Sequence, residues 1–365
     1  MIPVEYYVQV YYLILSVCIT LMFLPLFKYE NINLFSNSTL NFNTTILLSL
    51  TICFIGFRDP LGSPIYLGDT FTYTMIFNEF VNGVEYGAIP DPGFNLLMKF
   101  CSKYLNIRLF YIICALLYVL PSFFAFKKWF GQNAFFALAI FIVSMSFWNF
   151  GVNGVRNGIS TSFVIYAFSL EQKKLKTILV FLLAISFHKT AILPILAYLI
   201  TLKFSNTKML IRTWLFAVIF SYFFGEVIEN FIQQFISLND FTNNKNTQNL
   251  FVDEINNQEV RRGFRVDFII YSGFAILMGY VYTVKMKVNN IIYFRLLNTY
   301  LIANIVWVFF IYAAYTNRIA YLSWFLMPVV LIFPLLKEKI YKKQNNVIAY
   351  MILGSLAFNL LLFSR

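Results

Sequence analysis

Residues 109–128 read LFYIICALLYVLPSFFAFKK: an unbroken apolar run from Leu109 to Phe126, then Lys127 and Lys128. A run of this length without a charge is enough to cross the hydrocarbon of a bilayer as a helix, and a pair of lysines at one end marks the cytoplasmic side. The same reading extends over the chain. Of 365 residues, 60% are hydrophobic, 20% aromatic and only 12% charged, and the mean hydropathy is +0.71. Soluble domains carry about 25% charged residues. Bilayer is therefore the expected solvent, and membrane lipids are expected partners.

A net charge of +12 could point to nucleic acid. The lysines, however, sit in short clusters between apolar runs, where they orient helices, so no nucleic-acid partner is expected. The first run, 6–27, has neither a basic stretch ahead of it nor a small-residue cleavage site behind it, and reads as a retained helix rather than a signal peptide. Cys18, Cys53, Cys101 and Cys114 show no C-x-x-C spacing and are read as packing residues. With His188 the single histidine, no metal site is expected.

Spans are expected near 6–27, 45–57, 109–126, 134–150, 158–170, 177–187, 191–202, 211–236, 265–284, 291–313, 319–336 and 347–363, about 12 transmembrane helices in an all-α, polytopic integral membrane protein. No linker or internal repeat divides it, so residues 1–365 read as a single membrane domain. Lys127 and Lys128, Lys173, Lys174 and Lys176, Lys203 with Lys208 and Arg212, Lys285 and Lys287, and Lys337, Lys339, Lys342 and Lys343 fall on every second connection. Those connections are expected inside. The alternate ones carry the acids Asp59, Asp69, Glu79, Glu85, Asp91, Asp240, Asp253, Glu254 and Glu259, which places two large loops, 58–107 and 237–264, and both termini outside. Within the second loop, the Asn-rich stretch 239–246 reads as a polar connector or a lid.

The chemistry-bearing residues gather at the outer ends of the spans. The first loop contains Arg58-Asp59-Pro60, Gly68-Asp69 with Tyr73, and Asp91-Pro92-Gly93-Phe94. Phe94, Leu97, Phe100, Cys101 and Tyr104 then recur at helical spacing with Lys99 and Lys103 opposite, as in a helix lying along the interface. Later elements are Arg156-Asn157-Gly158, His188-Lys189-Thr190-Ala191, Arg265-Val266-Asp267-Phe268 and Asn317-Arg318 followed by Tyr321. Any one of these alone reads as a snorkelling charge or a satisfied polar residue. Several cations at such depth favour a shared anionic ligand over accident.

In this order and spacing the elements resemble the EpsG-like branch of the Wzy-type polymerases of bacterial O-antigen, capsule and exopolysaccharide. Arg58, Gly68-Asp69, Tyr73 and Asp91-Pro92-Gly93-Phe94 are similar to that family's first outer loop. Arg156 with Gly158-Ile159-Ser160, His188-Lys189-Thr190-Ala191, Arg265-Val266-Asp267-Phe268 and Asn317-Arg318 are similar to its later elements. Asn157 stands where the family usually has Gln, and Asp91 where Glu is commoner.

The resemblance implies a GT-C-like glycosyltransferase with two large periplasmic loops, in the bacterial inner (plasma) membrane with its site facing the periplasm. It would join oligosaccharide repeat units carried on undecaprenyl diphosphate, both donor and acceptor being carrier-linked. A chain-length regulator is a further candidate partner, and no cofactor is expected. Arginine offers paired donors to phosphate without losing charge, so Arg58, Arg156, Arg265 and Arg318 are candidates for a clamp on the leaving diphosphate, which would make a metal ion unnecessary. The acceptor hydroxyl needs a base: His188 is the first candidate, Asp69 the second. Asp59 and Asp267 are expected to orient neighbouring guanidinium groups. Tyr73, Asp91, Asn157, Lys189, Asn317 and Tyr321 are candidates to orient these groups or touch substrate. A ligase that passes finished glycan to lipid A, and a flippase for lipid-linked oligosaccharide, are the alternatives. A transporter should gather its charges near the midplane, whereas here they gather at one face.

Overall fold

The computed structural model describes residues 2–27, 36–84, 89–170, 173–238, 263–313 and 315–363, and among these it is entirely helical. Glu85, Asp240, Asp253, Glu254, Glu259 and the Asn-rich stretch 239–246 lie outside the described residues. Two compact units are formed, one by Met1–Ile192 with Ile332–Arg365 and the other by Leu193–Leu331.

The first unit contains α1 (Val4–Phe23), α2 (Asn37–Gly56), α3 (Pro64–Leu67), α4 (Thr70–Val81), α5 (Pro92–Tyr104), α6 (Ile107–Phe130), α7 (Ala134–Ile142), α8 (Met145–Val152), α9 (Val155–Ser169) and α10 (Lys174–Phe187). α11 (Ile192–Thr201) leads into the second, which contains α12 (Thr207–Leu238), α13 (Val266–Tyr280), α14 (Ile291–Phe309) and α15 (Thr316–Trp324). α16 (Met327–Lys337) leads back to the first, which α17 (Gln344–Phe363) completes.

Among the described residues, eight stretches are long and apolar enough to cross a membrane: Val4–Phe27, Asn37–Gly56, Ile107–Ile142, Thr207–Phe231, Val266–Lys285, Ile291–Phe309, Thr316–Lys337 and Gln344–Leu362. Along α12, Phe216, Ile219, Phe223, Val227 and Phe231 are all exposed, a face that requires lipid. The chain is a multi-pass membrane protein. The twelve expected segments map onto helices in the main, but 291–313 outruns its helix at Phe309, 319–336 is interrupted at Phe325–Leu326, and several helices are short: α9 has 15 residues, α10 14 and α11 10. The expected span 134–150 breaks at Val143–Ser144 into α7 and α8. The Val143 carbonyl freed there accepts the Asn359 side-chain amide of α17, the kind of repair that lets a helix break at depth.

Small residues set the close approaches in the first unit. Pro121 interrupts the ladder of α6, and Ser122 beside it turns both its N–H (3.0 Å) and its hydroxyl (2.8 Å) to Ser162 of α9. Two residues nearer the start of α9, the Ser160 hydroxyl donates to the Ala184 carbonyl of α10 at 2.7 Å. Gly93 in α5 faces Ser186 of α10 so closely that a Cβ would lie 2.3 Å from Oγ. These contacts bring α5, α9 and the end of α10 to one place.

The first loop is thus folded into α3, α4 and α5. Its last helix differs from the expected single apolar stripe. Phe94, Met98 and Cys101 turn inward, whereas Leu96, Phe100 and Tyr104 are exposed, because the helix has both a protein-facing and an outward apolar face.

Candidate active site

The first unit assembles a site around one carboxylate. Asp91 lies just before α5, with Pro92 pre-set for the first helical turn, and is only 1% exposed. Its Oδ2 accepts Arg156 Nη1 at 2.6 Å and lies 3.0 Å from His188 Nδ1, while Oδ1 accepts the Lys189 backbone N–H at 3.3 Å. Local structure supplies that last donor. α10 stops at Phe187, and His188 is extended (φ −161°, ψ 120°), so the Lys189 N–H is free of the α10 ladder. Burial alone would raise the Asp91 pKa. The hydrogen bond and charge of His188, then Arg156 and the Lys189 N–H, outweigh burial and hold the carboxyl below its usual value.

Arg156 follows the Asn153-Gly154 break between α8 and α9. Its Nε donates to the Tyr73 hydroxyl at 3.3 Å, and Nη2 makes no hydrogen bond among the described residues. Burial alone would lower its pKa, but Tyr73 and Asp91 outweigh burial and raise it. Tyr73 is 4% exposed and packs on Phe94, with ring centroids 5.4 Å apart. The Thr190 hydroxyl reaches Asn157 Oδ1 at 3.5 Å. His188 and Arg156 keep about a fifth of their side-chain surface, and the Lys189 side chain is exposed. A buried carboxylate that aligns an imidazole by one nitrogen leaves the other free to take a proton.

Gly68 and Asp69 are docked on the end of α8. Gly68 has φ +53°, and a Cβ there would meet Asn153 Oδ1 at 2.4 Å, so the position takes only glycine. The Asp69 N–H donates to the same oxygen at 3.0 Å. Asn153 was not singled out by sequence; it carries no charge and belongs to no motif.

Arg58 is buried (1% exposed). Its Nε donates to Thr70 Oγ1 at 2.9 Å, Nη1 to the Ile55 carbonyl, and its plane lies 4.0 Å over the Tyr111 ring. Burial lowers its pKa, partly offset by Tyr111. Asp59 does not orient it as expected. Asp59 instead accepts the Leu61 N–H at 3.0 Å, since the turn after Pro60 uses the carboxylate locally.

In the second unit, Asp267 grips Arg265 through two bonds, Nε to Oδ1 at 2.9 Å and Nη2 to Oδ2 at 2.6 Å, and the guanidinium lies 3.7 Å over Phe268. Arg318 is exposed beside the Tyr315 ring (4.8 Å), Asn317 next to it is half-buried, and Tyr321 meets Trp324 edge to face with ring centroids 5.5 Å apart. The structure therefore brings Tyr73, Asp91, Arg156, His188 and Lys189 together within one unit, and holds Arg265, Asp267, Asn317, Arg318 and Tyr321 within the other.

No curated protein and no solved structure matches the chain. The sequence model of the EpsG family does, over residues 44–364, a range that includes every element of the assembled site. The chain belongs to the EpsG family, the EpsG-like polysaccharide polymerases.

Proposed function

We propose that this chain is a GT-C-type glycosyltransferase of about twelve spans, active on the outer, periplasmic face of the bacterial inner membrane. It would polymerise oligosaccharide repeat units carried on undecaprenyl diphosphate into O-antigen, capsule or exopolysaccharide. Family membership supports a glycosyltransferase-like polymerase at the coarse level. The observation that carries the finer reading is one buried carboxylate, Asp91, bonded at once to Arg156, His188 and the Lys189 N–H.

In this reading the acceptor sugar hydroxyl gives its proton to His188 Nε2 as its oxygen attacks the anomeric carbon of the donor. The bond from that carbon to the diphosphate breaks, and undecaprenyl diphosphate leaves with the electron pair. Asp91 holds the Nδ1 proton and so keeps Nε2 open as acceptor. The free Nη2 of Arg156 and the ammonium of Lys189 offset charge growing on the leaving oxygens. Arg265 and Arg318 are further clamp candidates, and Asp69 is the base to test if His188 fails. Arginine and lysine supply the positive charge, so no metal ion enters the scheme.

The test uses purified full-length protein in vesicles with a lipid-linked repeat unit. The parent should build a ladder of lengths on the carrier. His188→Ala should bind substrate as before while turnover falls about 10²- to 10⁴-fold. Transfer only to a lipid A core, or a change of sidedness without bond formation, would overturn the polymerase reading; a folded His188→Ala working at the parental rate would remove His188 from it. Sidedness is tested separately. A cysteine at Asn243 should react with an impermeant thiol reagent added outside and one at Gln172 should not, and the reverse pattern would sink the assigned compartment.

A further inference from the structure

A second basic cavity lies away from Asp91, His188 and Arg156. It occupies about 390 Å³ among the start of α1, the end of α2 and the start of α6, and its walls include Ile2, Tyr7, Phe54, Phe57, Arg58 and Arg108. Three features distinguish it from a chance gap between helices.

The first is an incomplete guanidinium. Arg58 Nε and Nη1 are bonded and its face is covered by Tyr111, but Nη2 is buried without a hydrogen-bond partner. A buried charged donor left unused is costly, and positions that keep one commonly complete it with a ligand. The second is Arg108, at the second position of α6, which is exposed and makes no hydrogen bond or ion pair among the described residues. The third is the helix end that carries Arg108. Asn106 satisfies the Leu109 N–H at 3.0 Å, and the α6 dipole adds partial positive charge where Arg108 projects. The acid on the rim is Asp59, which spends Oδ1 on the Leu61 N–H. Two guanidinium groups, Arg58 held in place and Arg108 open, against one engaged carboxylate leave a net positive site.

Its walls specify the rest of the ligand. Phe57 is 61% and Ile2 37% exposed, so the basic end opens beside apolar side chains at the margin of the spans α2 and α6. A free phosphate would have no use for those walls, and a neutral lipid no use for the arginines.

We propose that this cavity binds the phosphate group of a bilayer lipid, with Arg108 as the accessible contact and Arg58 Nη2 as the inner one, the hydrocarbon chain lying along Phe57 and Ile2. The chemistry is common to an anionic glycerophospholipid and to a polyprenyl phosphate. It assigns Arg58, one of the residues expected to clamp the leaving diphosphate, to lipid binding in this cavity instead, and it is tested on binding, whereas the polymerase reading concerns bond formation at His188 and is tested on products.

The experiment is native mass spectrometry of the detergent-purified full chain titrated with dioleoylphosphatidylglycerol, with undecaprenyl phosphate, and with dioleoylglycerol, which lacks phosphate. Arg108→Gln should weaken phosphate-lipid binding about tenfold or more, the loss of one charge-assisted contact, and Arg108→Lys should keep most of it. Because Arg108 is exposed, these variants avoid the folding risk at buried Arg58. Weakened binding of phosphatidylglycerol alone would assign the source to bulk lipid, of undecaprenyl phosphate alone to the carrier, and of both to the phosphate itself. Unchanged binding of both phosphate lipids in Arg108→Gln, or equal competition by dioleoylglycerol, would overturn the proposal.

Discussion

Each unit holds a cluster of buried polar groups, and the two clusters are built in opposite ways. In the second unit the cluster around Asn304 is neutral and mutually satisfied. Asn304 Oδ1 accepts Trp214 Nε1 at 2.7 Å, and its amide donates to Ser272 Oγ (3.2 Å) and Ser323 Oγ (2.9 Å). Ser272 Oγ also accepts Trp324 Nε1 at 2.6 Å, and the Ser272 carbonyl accepts the Tyr300 hydroxyl at 3.1 Å. This network joins α12, α13, α14 and α15, and Asn304, Ser272 and Ser323 are fully buried. In the first unit the cluster centres on a charge, Asp91, and its partners Arg156 and His188 are partly open and keep unused nitrogens. A closed neutral network is what holds helices together in lipid. A buried carboxylate beside open cationic partners stabilises less than its cost would justify, and is better explained by chemistry.

The comparison breaks most visibly at Asp91. Asn keeps the shape but offers one acceptor oxygen where the carboxylate uses two, so Asp91→Asn should lower turnover about 10²- to 10⁴-fold, as loss of the base would. It should also carry a pH signature. The Asp91 pKa is lower folded than unfolded, so its contribution to stability is fully present above the unfolded value of about 3.9 and is lost as pH falls through the folded value. The gap in thermal midpoint between parent and variant should be constant near neutrality and close in acid; a gap that widened in acid would contradict the charged, paired carboxylate.

Arg156→Lys comes next. It keeps the charge but loses the fork that reaches Tyr73 and Asp91 together, and should slow polymer formation roughly 30- to 1000-fold at equal protein level, or about 2–4 kcal/mol. Parental rates would show that charge alone is enough. The smallest effect is expected at Asn304→Ala, which should destabilise by about 1–2 kcal/mol while leaving turnover per folded molecule unchanged. A turnover loss there larger than the stability loss explains would erase the distinction between the two units.

Much of this was legible in sequence for a simple reason. Apolar runs ended by lysines are helices in lipid because no other backbone satisfies its own hydrogen bonds there, and the described residues form helices without strands, eight stretches of which are long and apolar enough to span. The Arg265–Asp267 pair was legible because its partners are two residues apart at a helix start. The same logic failed at Arg58 and Asp59, where adjacency suggested a pair and the turn consumed the carboxylate. The three-way contact of Asp91 was not legible. Its partners Arg156 and His188 lie 65 and 97 residues away and meet it only because Gly93 lets α5 close on α10. Nor was the break at Val143 legible, since the compensating amide comes from Asn359, 216 residues later.

The neutral network also constrains biogenesis. Trp214, Ser272, Asn304 and Ser323 lie on four successive helices that leave the ribosome in that order. The Asn304 amide enters the bilayer with donors it cannot discharge on α12, and Ser323, one of its two acceptors, follows nineteen residues behind. Lateral release of α14 alone into lipid would therefore strand a primary amide in hydrocarbon. Partitioning of α12 to α15 is expected to be concerted, with the last helix acting as the lock.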